Sequence, residues 1–129
     1  MTRVESLVAD LQKALVKLKE AVAAPDTELN RDATIQRFEF TFELSWKVMH
    51  AILVDNGIET YGPKNTFREA AKLGVIESPE EWFEFLQDRN LTTHKYDEAT
   101  AERIYQTAKA FVAHAAKLLE TINTKFLSA

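Results

Sequence analysis

Apolar residues recur at three- and four-residue steps along most of the chain, and the two-residue alternation of a half-buried strand is absent. Val4, Leu7, Leu11, Leu15, Leu18 and Val22 predict a first helix from about Val4 to Val22, with Lys13, Lys17, Lys19 and Glu20 on its wet side. Ala23-Ala24-Pro25-Asp26 ends it, because proline disfavours helix at the residue before it. A second helix is expected from about Arg31 to Asn56, stopped by Gly57. It carries two stripes. Ile35, Phe38, Phe42, Trp46, Met49 and Leu53 form one, and Phe40, Leu44, Val48 and Ala51 the other. A helix apolar on two sides is either central or meets another chain. One bundle core cannot absorb both faces, so Phe40, Leu44 and Val48 are the candidate seam with a second copy.

A short third helix follows the turn at Tyr61-Gly62-Pro63, with Thr66 and Glu69 at capping-box spacing and Gly74 closing it. The fourth has the clearest start, Ser78-Pro79-Glu80-Glu81: a capping serine, a proline suited to the first helical position, and a glutamate completing the box. Trp82, Phe85 and Leu86 point it inward. The fifth begins after Asp97, with Ile104, Ala108, Phe111, Ala115, Leu118 and Ile122 as its core stripe. The end, near Leu127-Ser128-Ala129, is expected to fray. These elements predict one all-α domain over residues 1–129, an up-and-down bundle of four long helices with a short extra helix.

Composition narrows the function classes. With no cysteine there is no disulfide framework and no thiolate metal site, which fits a cytoplasmic location. The N-terminus lacks the apolar run of a signal peptide, and no stretch reaches the length of a membrane span. A net charge of −4 argues against strong general binding to nucleic acid, so any RNA contact must be local. No glycine-rich phosphate loop occurs, so this chain alone should not be a nucleotide-binding catalyst. Glu39 and Glu43 lie four apart without a completing His or Asp, so neither metal nor cofactor is expected, and Glu43 and Lys47 read as an ordinary helix pair. His50 and His114 stand isolated and are placed at a surface or interface.

The unusual chemistry is concentrated in Asp88-Arg89-Asn90-Leu91-Thr92-Thr93-His94-Lys95-Tyr96-Asp97, where the fourth helix gives way to the fifth. The stripe Trp82, Phe85, Leu86 continues by the same spacing into Arg89, so a guanidinium falls where the pattern calls for a core residue. It needs a partner, a cleft or a second subunit, because an unpaired buried charge is costly. On a regular helix Arg89 and His94 sit roughly 140° apart, whereas Asn90 and His94 share a face. A break near Thr92-Thr93, or convergence across a dimer, would bring all three together. Such a set can run RNA cleavage without a metal: His94 moving a proton, Arg89 holding the phosphate, Asn90 and Thr92 positioning the nucleotide. The structural alternative is that Asp88 and Arg89 pair across helix ends, Asn90 satisfies backbone groups and His94 caps carbonyls.

The block from Asp88 to Glu98 resembles the conserved block of the nucleotidyltransferase substrate-binding family, part of the wider HEPN group. Arg31-Asp32-Ala33-Thr34-Ile35-Gln36-Arg37-Phe38-Glu39-Phe40-Thr41-Phe42-Glu43-Leu44-Ser45-Trp46-Lys47 resembles that family's other hallmark, and Arg68 to Ile76 and Trp82 are similar too. The resemblance implies a helical partner of a separately encoded minimal nucleotidyltransferase, working as a homodimer and helping to form its substrate site. In the toxin–antitoxin branch it implies instead a ribonuclease acting on RNA at a dimer cleft. Arg89 and His94 are then the catalytic pair and Tyr96 the residue that the nucleotidyltransferase adenylylates. Asn90, Thr92 and Asp88 are the matching candidates for substrate or nucleotide contact.

Overall fold

A computed structural model describes residues 1–127. The chain forms five α-helices: α1 Arg3–Ala23, α2 Glu28–Asp55, α3 Gly62–Leu73, α4 Pro79–Asn90 and α5 Glu98–Lys125, with a 3₁₀ turn, Leu91–His94, between the last two. Among the described residues there is no strand, and no helix is long and apolar enough to cross a membrane.

Side-chain caps set three of the starts. Thr2 accepts from the Glu5 N–H at 3.1 Å, Thr27 from Asn30 N–H at 3.1 Å, and Asp97 from Thr100 N–H at 3.0 Å. The Thr27 cap starts α2 about a turn before the expected Arg31. Two expected capping boxes do not form. Helix α3 already begins at Gly62, so Thr66 lies inside it, buried, its hydroxyl on the Gly62 carbonyl and beside Thr60. Ser78 makes no bond to the backbone of α4. Its hydroxyl is taken by Glu80, and Glu81 turns to His114 on α5. Gly74, at φ +90°, closes α3 in the left-handed conformation that glycine alone enters freely, and Val75 N–H returns to the Ala70 carbonyl at 2.9 Å.

The expected all-helical bundle with a short extra helix forms, but its fourth helix is shorter than expected. Helices α1, α2 and α5 run 21, 28 and 28 residues, while α4, like α3, has only 12. The hydroxyls of Thr92 and Thr93 donate to the Arg89 and Asn90 carbonyls at 2.7 and 3.3 Å and take the place of continuing helical bonds. Helix α2 is central, packed on each of the other helices, which explains most of its two-sided apolarity. Val48, expected on the partner seam, is completely buried inside the single chain, and Leu44 is partly buried against the core. Only Phe40 of that expected stripe is strongly exposed, at 58%. The stripe diverges because α2 turns 100° per residue, so Val48, eight residues on, rotates toward the core.

An aromatic cluster ties α4 to the rest. Phe111 of α5 meets Phe38, Trp82 and Phe85 edge-on at centroid distances of 5.3, 5.5 and 5.0 Å, the geometry favoured by aromatic quadrupoles. Trp82 and Phe85 thereby anchor α4 and fix the direction in which its C-terminal turn, with Arg89 and Asn90, projects. The expected fraying concerns mostly residues 128 and 129, which lie outside the described residues. Leu127 bonds the Ile122 carbonyl at 3.0 Å.

Candidate active site at the junction of α4 and α5

Arg89 occupies the last turn of α4, and its side chain is only 28% exposed. The partner that its position demands is Glu43 of α2: Arg89 Nε donates to Glu43 Oε1 at 3.0 Å. The other oxygen of Glu43 accepts from Trp46 Nε1 at 3.1 Å. Glu43 is thus held from its own helix and does not pair with Lys47. One turn earlier on α2, Glu39 lies 3.8 Å from Lys95. Two carboxylates on one side of α2 therefore face two cations that flank the 3₁₀ turn.

His94 ends that turn. Its Nδ1 lies 3.3 Å from the hydroxyl of Tyr96, and the two rings meet edge-on at 5.9 Å. Tyr96 is 82% exposed, so the phenol is presented to solvent with its hydroxyl directed at an imidazole. His94 Nε2 has no hydrogen-bond partner among the described residues. Asn90 and His94 do share a face, as their spacing predicts, and line one groove of about 500 Å³ between α3 and α4. Arg89 does not line it. Within one chain, then, the guanidinium turns to α2, while the imidazole and the Asn90 amide face the groove.

Asp88 and Thr92, expected among the substrate contacts, are buried at 7% and 5% exposure. Asp88 faces α5, where it accepts from the Thr107 hydroxyl and approaches Arg103 Nη2 at 2.8 Å. Asp88 Oδ1 has no aligned hydrogen-bond donor, so the Arg103 contact is an ion pair rather than a well-formed hydrogen bond. Asp88 and Arg89 do not pair with each other; they anchor the end of α4 to two different helices. Thr92 caps the Arg89 carbonyl, a role that had been open to His94. Asp97 caps α5, and bonds from the Thr100 hydroxyl and backbone N–H hold its carboxyl below the usual range.

The sequence reading missed Glu43 as the partner of Arg89. A misplaced guanidinium announces that some carboxylate must meet it, but twenty Asp and Glu residues compete for that role. It also missed His114, which is not isolated. His114 pairs with Glu81 and stacks edge-on against Phe85 at 4.9 Å. Among the described residues no group of His, Cys, Asp and Glu is arranged to hold a metal ion.

Comparison with known proteins fits this architecture. Residues 7–124 match the family described as nucleotidyltransferase substrate binding protein like. A Haemophilus influenzae protein named probable ribonuclease HepT is 35% identical over 96 residues, which span 70% of this chain and 66% of that protein. A crystal structure from Thermus thermophilus superposes with a TM-score of 0.74 at 35% identity, covering 89% of this chain and 97% of the other. A Haemophilus influenzae structure, described as revealing the fold of a substrate binding domain of a nucleotidyltransferase, superposes at 0.70 with 28% identity, over 93% and 96% of the two chains. Family match, identity and fold agree: the chain belongs to the nucleotidyltransferase substrate-binding protein-like family.

Proposed function

We propose that this chain is a ribonuclease that works as a homodimer beside a separately encoded minimal nucleotidyltransferase, which restrains it by adenylylating Tyr96. The observation that carries this reading is the His94–Tyr96 pair, an exposed phenol 3.3 Å from an imidazole that lines a groove. With Nδ1–H donating to the phenol oxygen, the Nε2 lone pair is the general base. It takes the proton of a ribose 2′-hydroxyl as that oxygen attacks the adjacent phosphorus. The bond from phosphorus to the 5′-oxygen breaks, the leaving oxygen takes a proton back from the imidazolium, and a 2′,3′-cyclic phosphate remains. Arg89 steadies the phosphorane charge. Its Nε is held by Glu43, and its two terminal amines make no hydrogen bond among the described residues, so that fork suits a phosphate. In a dimer the Arg89 of one copy can approach the His94 of the other. Adenylylation replaces the phenol proton with a phosphodiester, which sets bulk and negative charge beside His94 and blocks phosphate entry.

The test is expression alone and with the nucleotidyltransferase. The wild-type chain should slow growth and cut RNA to cyclic-phosphate ends in the presence of EDTA, and His94→Ala should do neither. Co-expression should add one nucleotide mass to the wild type and none to Tyr96→Phe. A wild-type chain that is harmless and leaves RNA intact overturns the reading.

A second reading is favoured by the charge of −4, which is unhelpful to RNA capture. In it the bundle is a non-catalytic subunit that completes the nucleotidyltransferase's substrate site. It requires co-purification with that enzyme and loss of the enzyme's activity without this chain.

A further inference from the structure

We propose that the groove beside His94 is a base-reading subsite, which seats an adenine of single-stranded RNA next to the bond that is cut. The inference rests on the ribonuclease reading. The groove follows one face of α4 into the 3₁₀ turn, so that Phe83, Gln87, Asn90 and His94 come in order along it. Its floor is apolar, from Phe83, Leu86 and Leu91, each only partly buried against the core. An extruded base needs such a floor, because single-stranded RNA is read by stacking its splayed bases on aromatic and apolar surface.

Two features give the groove a preference among bases. Gln87 and Asn90, one helical turn apart, both line it, and neither amide makes a hydrogen bond within the chain among the described residues. A carboxamide offers a donor beside an acceptor, which complements the N7 acceptor and N6 amine of adenine. Guanine presents two acceptors, N7 and O6, at the same edge and mismatches it. Glu84, the groove's carboxylate, accepts from an exocyclic amine and opposes O6, which biases the site the same way. Lys64, across the groove on α3, is also without a partner among the described residues and suits a flanking phosphate. The volume of about 500 Å³ lies in the usual range for a small-molecule site. Because His94 lines the same groove, a base seated there puts its own ribose or the next within reach of the imidazole.

The experiment uses single-stranded DNA oligonucleotides with one ribonucleotide, which supplies the only 2′-hydroxyl, and all four bases in turn on either side of the scissile bond. Wild-type protein should cut about tenfold faster with adenine on one side than with guanine or uracil there, and Gln87→Leu should bring that ratio close to one. In parallel, His94→Ala protein is titrated by NMR with short oligoadenylate and oligouridylate RNA and with AMP. The side-chain amides of Gln87 and Asn90 should shift with oligoadenylate at lower concentration than with AMP, and not with oligouridylate. Cleavage that ignores the base, or a preference that survives Gln87→Leu, overturns the subsite and leaves the ribonuclease reading standing. AMP binding as tightly as the oligonucleotide overturns the assignment to RNA in favour of a mononucleotide site. No cleavage of any substrate overturns the ribonuclease reading and this inference with it.

Discussion

Glu43 of α2 and Arg89 of α4 are 46 positions apart in sequence and meet through a hydrogen bond of 3.0 Å. The contact uses Nε of the guanidinium and leaves both terminal amines without intramolecular bonds among the described residues. Trp46 holds the second carboxylate oxygen at 3.1 Å, so Glu43 has two donors and one orientation. A group that grips the side of a guanidinium and leaves its end free aims it. It does not simply neutralise it.

Glu43→Ala should therefore lower the rate of RNA cleavage by about 10- to 100-fold, the equivalent of one charge-assisted hydrogen bond. Glu43→Gln, which keeps an acceptor and the shape, should recover part of that. Both groups are about one-third exposed, so stability should change by no more than about 1 kcal/mol. Initial rates and urea midpoints on the same preparations separate the two effects. Wild-type rates from Glu43→Ala would show that the contact aims nothing.

Asp88 should behave as a structural residue. Its carboxylate is buried and joins Thr107 and Arg103 of α5 to the end of α4. Asp88→Ala leaves the Thr107 hydroxyl without its acceptor and should cost about 1–3 kcal/mol. Urea unfolding measures this. A variant of native stability that has lost only RNA binding would return Asp88 to the substrate contacts.

Phe111 links the core to the site. It is fully buried and meets four other rings, on α2 and α4. Phe111→Ala should cost about 3–5 kcal/mol, and Phe111→Leu less than about 2 kcal/mol. In the leucine variant amide exchange should speed up in α4 before α1, because Trp82 and Phe85 of α4 lose their shared ring neighbour. Uniform acceleration over all helices would argue against this route.

Acid should weaken the start of α5. The Thr100 hydroxyl and backbone N–H hold the Asp97 carboxyl below its unfolded value, so the cap stabilises the fold above the ordinary range for Asp and is lost as pH falls through the lowered one. Urea midpoints measured from pH 7 down to about 3 should fall less steeply for Asp97→Asn than for the wild type, since asparagine caps without titrating. Parallel curves would place the acid-sensitive group elsewhere.

Which parts of this were legible in one dimension follows from the range of the forces. Helix spacing is a local property, so the core stripes of α1 and α5 and the shared face of Asn90 and His94 could be read directly. The Asp97 cap was equally plain, because its donor lies three residues away. The boxes at Thr66 and Ser78 failed for the same reason that local rules fail generally: a tertiary or nearer partner claimed the side chain. Thr66 went to the Gly62 carbonyl and Thr60, Ser78 to Glu80, and Glu81 to His114 on a distant helix.

The sequence by itself determined that this is an all-helical chain with a displaced arginine, a histidine and a tyrosine between its last two helices, because periodicity and residue chemistry need no neighbours. Tertiary packing alone decided where that arginine points and that Val48 lies inside while Phe40 lies outside. Those outcomes depend on which of many carboxylates and apolar faces arrive within a few ångströms. That proximity is created only when α2 is surrounded by the other helices.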